Sequence, residues 1–147
     1  MNGQETKNTI IERVRVVPES QRMTFLNKHF GTPLFDQLVF QMADKIIKGY
    51  QGGYWEYCEI SYSEAAFLRL GSETNRTLCN PFSGEEIEAG DTVSGLIVTS
   101  YALAWILERY DGNALERLYD THRAINSAIL DYCEEESCLN VYYTLID

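Results

Sequence analysis

The sequence predicts an α+β domain, in which a small antiparallel sheet of about three central strands, open to extension by terminal strands, packs with about four α-helices. Three observations lead there. Apolar residues recur at helical spacing toward both ends of the chain. Between them, over residues 54–79, the pattern shortens to aromatic and aliphatic runs bounded by turn formers. Nowhere do strands and helices alternate as a parallel sheet requires. All 147 residues are expected in a single domain, with residues 1–9 as a flexible tail.

Residues 10–17 read as a short strand, with Val14 and Val16 on one face and Arg13 and Arg15 on the other. Pro18 then falls where the first turn of a helix tolerates proline. That helix runs to about His29, burying Met23, Leu26 and Phe30, and Gly31 stops it. Thr32 and Pro33 suit the N-cap and first position of a second helix, whose stripe is Phe35, Leu38, Val39, Met42 and Ile46, ending at Gly49. Residues 54–60, 65–70 and 76–79 follow as a three-stranded antiparallel meander, and residues 80–84 as a loop.

A long helix beginning near Asp91 puts Val93, Leu96, Ile97, Ser100, Tyr101 and Ala104 on one stripe. Val98, Leu103, Trp105 and Ile106 occupy its other positions, so it is apolar almost all round and belongs at the centre of the core. Asp111 and Gly112 break it, and Asn113 with Glu116 makes a start resembling a capping box. The last helix carries Leu115, Leu118, Tyr119, His122, Ile125 and Ile129 at helical spacing and frays through Glu134, Glu135 and Glu136. Residues 139–146 read as an added strand.

With 45% hydrophobic and 12% aromatic residues the chain is not disordered. A folded chain of this size buries roughly 69% of its unfolded surface, so it needs neither disulfides nor a metal. The four cysteines, Cys58, Cys79, Cys133 and Cys138, are too few and scattered for a disulfide scaffold and are expected as thiols. The polar N-terminus has no signal-peptide core. The longest uncharged run, residues 92–107, falls short of the roughly 20 apolar residues of a membrane span. A cytoplasmic location is the expectation. The net charge of −10 is lopsided: residues 1–48 hold seven Lys/Arg and five Asp/Glu, residues 49–147 five and seventeen. That balance repels nucleic acid and suits either solubility or a basic protein partner.

Catalysis finds little support. Only His29 and His122 offer an imidazole base, His29 near a helix C-terminus and His122 on an apolar stripe. No nucleophile elbow, phosphate loop or HExxH motif is present. Gly49, Gly52 and Gly53 read as turn residues. Cys133 and Cys138 stand at the outer limit of zinc-ligand spacing, but no second close Cys/His pair completes a site. Glu56/Glu59 and Glu85/Glu88 fit a solvated acidic face better than an acid–base pair. No catalytic, cofactor-binding or metal-binding residue is therefore expected, and no cofactor.

Interaction features say more. Tyr50, Tyr54, Trp55 and Tyr57 crowd the first central strand, with Trp55 and Tyr57 on one face by alternation. Helices covering both faces are the favoured reading; exposure would give an aromatic patch rimmed by Glu56 and Glu59, suited to a protein partner or to a homodimer seam. Asp147 adds its side-chain and terminal carboxylates after apolar Leu145 and Ile146. Trp55, Glu56, Glu59 and Asp147 are the candidate partner-contact residues.

Several segments together resemble the bacterial antirestriction family of the ArdB and KlcA type. Val17-Pro18-Glu19 with Arg22-Met23, Phe25-Leu26 and His29-Phe30-Gly31 is similar to its opening. Tyr50-x-Gly52-Gly53-x-Trp55-Glu56 with Glu59 resembles its YxGGxW stretch. Asn80-Pro81-Phe82-x-Gly84, the helix around Gly95-Leu96 and the closing Ile146-Asp147 resemble later segments. Ser63-Glu64-Ala65-Ala66-Phe67 departs from the family's glycine-rich turn, and Gly90-Asp91-Thr92 from its usual helix start.

The resemblance implies a small cytoplasmic protein, often carried by plasmids and other mobile elements, that protects incoming DNA from type I restriction enzymes. It brings no catalytic residues. Its expected partner is the restriction enzyme or an associated host protein, with no direct nucleic-acid binding and no membrane. Extended DNA mimicry is disfavoured, because Arg117 and Arg123 interrupt Glu116, Asp120 and Asp131 where a mimic needs one charge per ~1.7 Å. The alternatives are an acidic mimic in the enzyme's DNA groove and, further off, a small hydrolase using Cys58 or Cys79.

Overall fold

The computed structural model describes residues 8–72, 74–110 and 115–147. The chain runs through α1 (Ile10–Arg13), β1 (Val14–Val16), a 3-10 turn (Glu19–Gln21), α2 (Arg22–Phe30), α3 (Phe35–Ile46), β2 (Trp55–Ile60) and β3 (Ala66–Leu70). It continues through β4 (Arg76–Cys79), β5 (Glu86–Ala89), α4 (Asp91–Arg109), α5 (Glu116–Glu135) and α6 (Leu139–Leu145). The architecture is α+β. β1, β2 and β3 form one antiparallel sheet in that order, and β4 and β5 form a second.

The first departure from the sequence reading lies in residues 10–17. Thr9 and Glu12 close a capping box: the Glu12 N–H donates to Thr9 Oγ1 at 3.3 Å, and the Thr9 N–H to Glu12 Oε1 at 2.9 Å. That box winds residues 10–13 into a helical turn and leaves only Val14–Val16 extended. Of the expected tail, residues 1–7 lie outside the described residues, while Thr9 is a helix cap.

Helices cover the Trp55–Tyr57 face of the larger sheet. Phe25 of α2 meets Tyr57 edge-on at 5.8 Å, and Phe40 of α3 lies 5.4 Å from Trp55. Met23, expected in the core, is 66% exposed; Phe25 fills that place. Gly31 ends α2 with φ +76°, as a left-handed cap should. Thr32 Oγ1 accepts the Leu34 N–H at 3.2 Å, but the next helix starts only at Phe35, two residues after Pro33.

The buried central helix is where it was expected. Within α4 every residue from Val93 to Ser100 is buried. Gly95 sits against β3, where an added Cβ would lie 2.4 Å from the Leu68 carbonyl oxygen. One turn on, Thr99 Oγ1 accepts the Leu68 N–H at 3.1 Å, so α4 seals the edge of the sheet that no strand covers.

The expected meander is corrected. β4 leaves β3 and pairs with β5, which the sequence reading missed; Ile47 bridges to Leu78 beside it. Asp91 directs this departure: its carboxylate accepts the Ser72 hydroxyl at 3.0 Å, the Thr74 N–H at 2.9 Å and Arg76 Nε at 2.7 Å. β5 was hidden because Glu86 and Glu88 occupy its outward positions, and glutamate is a poor strand former.

At the other end, Asp111, Gly112 and Asn113 lie outside the described residues, and the expected helix break and cap with them. α5 buries Leu118, Ile125 and Ile129 as its stripe predicts, although Tyr119 is exposed. It stays helical through Glu135 rather than fraying from Glu134. Residues 139–145, expected as a strand, form α6, because Val141 and Leu145 bury at i,i+4 spacing. No helix among the described residues is long and apolar enough to cross a membrane.

Candidate functional site

A cleft of about 640 Å³ opens between α4, α5, the end of α6 and the β4–β5 turn. The turn is built locally. Asn80 Oδ1 accepts the N–H groups of Phe82 at 2.8 Å and Ser83 at 3.2 Å, and Gly84 takes φ +82° to reverse the chain. This leaves Phe82 88% exposed at the rim, stacked over Tyr101 with centroids 6.4 Å apart. The α6 wall is pinned at its far end: Tyr101 Oη donates to the Leu145 carbonyl at 2.5 Å, and Asn80 Nδ2 to the Thr144 carbonyl at 2.9 Å. Asp147 follows, exposed at the mouth. On α4 the Arg109 guanidinium lies 4.3 Å from the Trp105 ring centroid.

The floor is a polar network. Ser100 Oγ donates to Asn126 Oδ1 at 2.6 Å and lies 3.2 Å from His122 Nε2. Whether His122 Nε2 donates to or accepts from Ser100 depends on the ring's tautomer. Burial lowers the His122 pKa below its ordinary value, so the ring is neutral at neutral pH.

The other predicted residues sit elsewhere, on β2, with Trp55 and Glu59 on one face and Glu56 on the other. Trp55 is 5% exposed, its Nε1 donating to Tyr50 Oη at 3.0 Å. Coverage of this face, the favoured reading, is what the structure shows: Phe40 of α3 lies over Trp55, which therefore fails as a partner-contact residue. Glu56 is half-buried and accepts Arg69 Nε at 2.8 Å, while Arg69 Nη1 donates to Thr92. Glu59 stands opposite Arg15 in the β1–β2 register and takes an ion pair from it. His29 Nε2 lies 2.7 Å from Glu59 Oε2, with Lys28 Nζ at 3.8 Å.

Burial alone would raise the Glu59 pKa, but hydrogen bonds from His29 and Arg15 outweigh it and leave the carboxyl below its usual range. Burial pulls His29 down against the opposing pull of Glu59, so the ring serves as a neutral N–H donor. The compensating charge comes from Arg15 and Lys28. Of the thiols named for a hydrolase, Cys58 has no exposed surface and its pKa is pushed up to about 12 by burial, while Cys79 is half-buried and lies 3.7 Å from the Asn80 carbonyl.

Of the four predicted contact residues, Asp147 alone joins the cleft. Sequence reasoning missed Phe82, Trp105 and the Ser100–His122–Asn126 floor. The i,i+4 spacing of His122 and Asn126 on one helix face was a usable signal; the arrival of Ser100 from another helix was not.

A solved structure matches the chain with a TM-score of 0.72 and 23% identity, covering 94% of this chain and 96% of its own. It is described as the structure of the KlcA and ArdB proteins. This chain has the KlcA and ArdB fold. For those proteins the description states a novel fold and antirestriction activity against type I DNA restriction systems in vivo but not in vitro. An uncharacterized protein of Escherichia coli (strain K12), YafX, is 26% identical over 112 residues, covering 72% of this chain and 73% of that protein. No family model matches the chain. In the KlcA and ArdB fold as this chain builds it, the cleft is lined by Asn80, Pro81 and Phe82 and by Ile146 and Asp147, from two of the segments that carried the sequence resemblance.

Proposed function

We propose that this chain is an antirestriction protein of the ArdB and KlcA type, protecting incoming mobile-element DNA from type I restriction through protein contacts and without catalysis. The observation that carries this reading is the match over 94% of the chain to a structure of antirestriction proteins. The order of the sequence segments supports it independently.

The contact face in this reading is the cleft mouth, lined by exposed Phe82 with Trp105, Glu108, Arg109 and Asp147. An aromatic residue beside acidic groups suits a basic protein surface with an apolar recess. Extended DNA mimicry is disfavoured by the exposed acids of α5: Asp120 is ion-paired to Arg123, and Arg117 stands beside Glu116, so the negative array is interrupted. The activity of the structural relative in vivo but not in vitro fits a cellular factor as the direct partner.

The test is plating efficiency of unmodified phage on a host with a type I restriction system, with and without the expressed protein. A nuclease-deficient, modification-proficient host is the control. Restored plating supports the reading. Unchanged plating, with the protein folded and abundant, means the fold serves another role against that system.

A further inference from the structure

α5 ends in a turn of defined geometry. Ser137 adopts the left-handed region at φ +58°, and the Cys138 N–H donates across it to the Cys133 carbonyl at 2.8 Å. This is the six-to-one bond of a Schellman cap, in which the residues at its two ends bring their side chains together. Here both ends are cysteines, and both are free thiols. The backbone bond sets a limit on their separation. With the Cys138 nitrogen 2.8 Å from the Cys133 oxygen, standard bond lengths hold the two α-carbons at most about 6.7 Å apart. Disulfides span α-carbon distances of about 4.4–6.8 Å.

Access is asymmetric. Cys133 has no exposed surface, whereas Cys138 is half-buried. We propose that Cys133 and Cys138 form a dithiol site that closes to an intramolecular disulfide on reaction with a low-molecular-weight disulfide. Cys138, deprotonated, attacks one sulfur of that oxidant, breaking its S–S bond and releasing the first thiol as a mixed disulfide forms. Burial pushes the Cys133 thiol up to about 12, so the second step is the slow one: its small thiolate fraction attacks Cys138 Sγ and expels the second thiol. Two cysteine thiols are oxidised and one external disulfide is reduced to two thiols, so electrons and protons balance.

The site lies where it can act on the cleft. α6 begins at Leu139, directly after Cys138, and its far end is already held by Tyr101 and Asn80. A bridge at its start ties α6 at both ends and fixes the wall that carries Leu145 and Asp147. This inference stands on the cap geometry and does not depend on the proposed antirestriction role.

The experiment treats the full folded chain with oxidised glutathione, traps remaining thiols by alkylation, and maps the products by mass spectrometry without reduction. The expected product is lighter by two hydrogens, bridges Cys133 to Cys138, and keeps Cys58 and Cys79 as thiols. Cys133→Ser should instead hold a stable glutathione adduct on Cys138. Cys138→Ser, altering the more exposed partner, should give neither bridge nor adduct at position 133 and serves if Cys133→Ser does not fold. Amide exchange across residues 139–145 should slow several-fold on closure and recover on reduction. A persistent adduct on Cys138 of the unaltered protein, bridging between chains, or no reaction at either cysteine overturns the site; unchanged exchange in the bridged form overturns its action on α6.

Discussion

The sheet cluster around Glu59 and the cleft beside α6 are both assembled from polar groups brought in by separate elements, yet they end in opposite conditions. Around Glu59 the carboxylate is met by Arg15, Lys28 and His29, and the His29 ring is itself packed edge-on against Phe25. At the cleft, Ser100, His122 and Asn126 satisfy one another at the base of an open volume whose rim holds an exposed Phe82. Charged residues that look like a contact surface in sequence can be consumed internally. At the cleft, by contrast, the β4–β5 turn leaves the ring of Phe82 uncovered.

Four experiments would break or sharpen that contrast. The largest effect is expected on the closed side. Gly95→Ala inserts a Cβ 2.4 Å from the Leu68 carbonyl oxygen, and backbone cannot yield as a side chain can. Denaturant unfolding should show a loss of about 3 kcal/mol. A loss below about 0.5 kcal/mol, the range of ordinary surface changes, would mean that α4 does not sit against β3 this closely.

Next comes Glu59→Ala, which leaves His29 buried without its acceptor and should cost about 1–2 kcal/mol in the same measurement. Arg15→Ala should cost less, since that side chain is 70% exposed. Equal costs would show that the cluster is no more closed than an ordinary surface pair.

The two histidines make the third comparison, and both have pKa values below the ordinary 6.5. A depressed folded-state pKa means the unfolded chain binds the proton first. Each histidine therefore adds stability that is full above pH 6.5 and lost as pH falls below it toward the folded-state value. Thermal midpoints should drop between pH 7 and 5. His29→Asn and His122→Asn should each flatten part of that slope; a variant with the unaltered slope would show its imidazole to be solvated.

The smallest effect on stability belongs to the open side. Phe82→Ala removes an 88% exposed ring and should change the unfolding free energy by less than about 0.5 kcal/mol. The same variant should lower phage plating under restriction if the cleft mouth is the contact face. Full protection by a normally expressed Phe82→Ala protein would move the contact face elsewhere.

Much of this molecule was legible from local pattern, because helical and strand periodicities are properties of neighbouring residues. The α+β class, the buried central helix from Asp91, the strands at Trp55–Ile60 and Ala66–Leu70, and the stop at Gly31 all follow from spacing, capping and chirality. The charge asymmetry and the ordered segments of the resemblance were equally readable. Tertiary structure alone decided the rest. Strand pairing between β4 and β5 depends on the grip of Asp91 on Ser72, Thr74 and Arg76. The helical state of residues 139–145 depends on burying Val141 and Leu145 in a core made by other elements. Whether Trp55 and Glu59 face solvent was settled by α2 and α3 arriving over them. Periodicity states which faces are apolar; only the packed chain states what covers each face, because contacts between distant segments are fixed by shape and mutual burial rather than by sequence spacing.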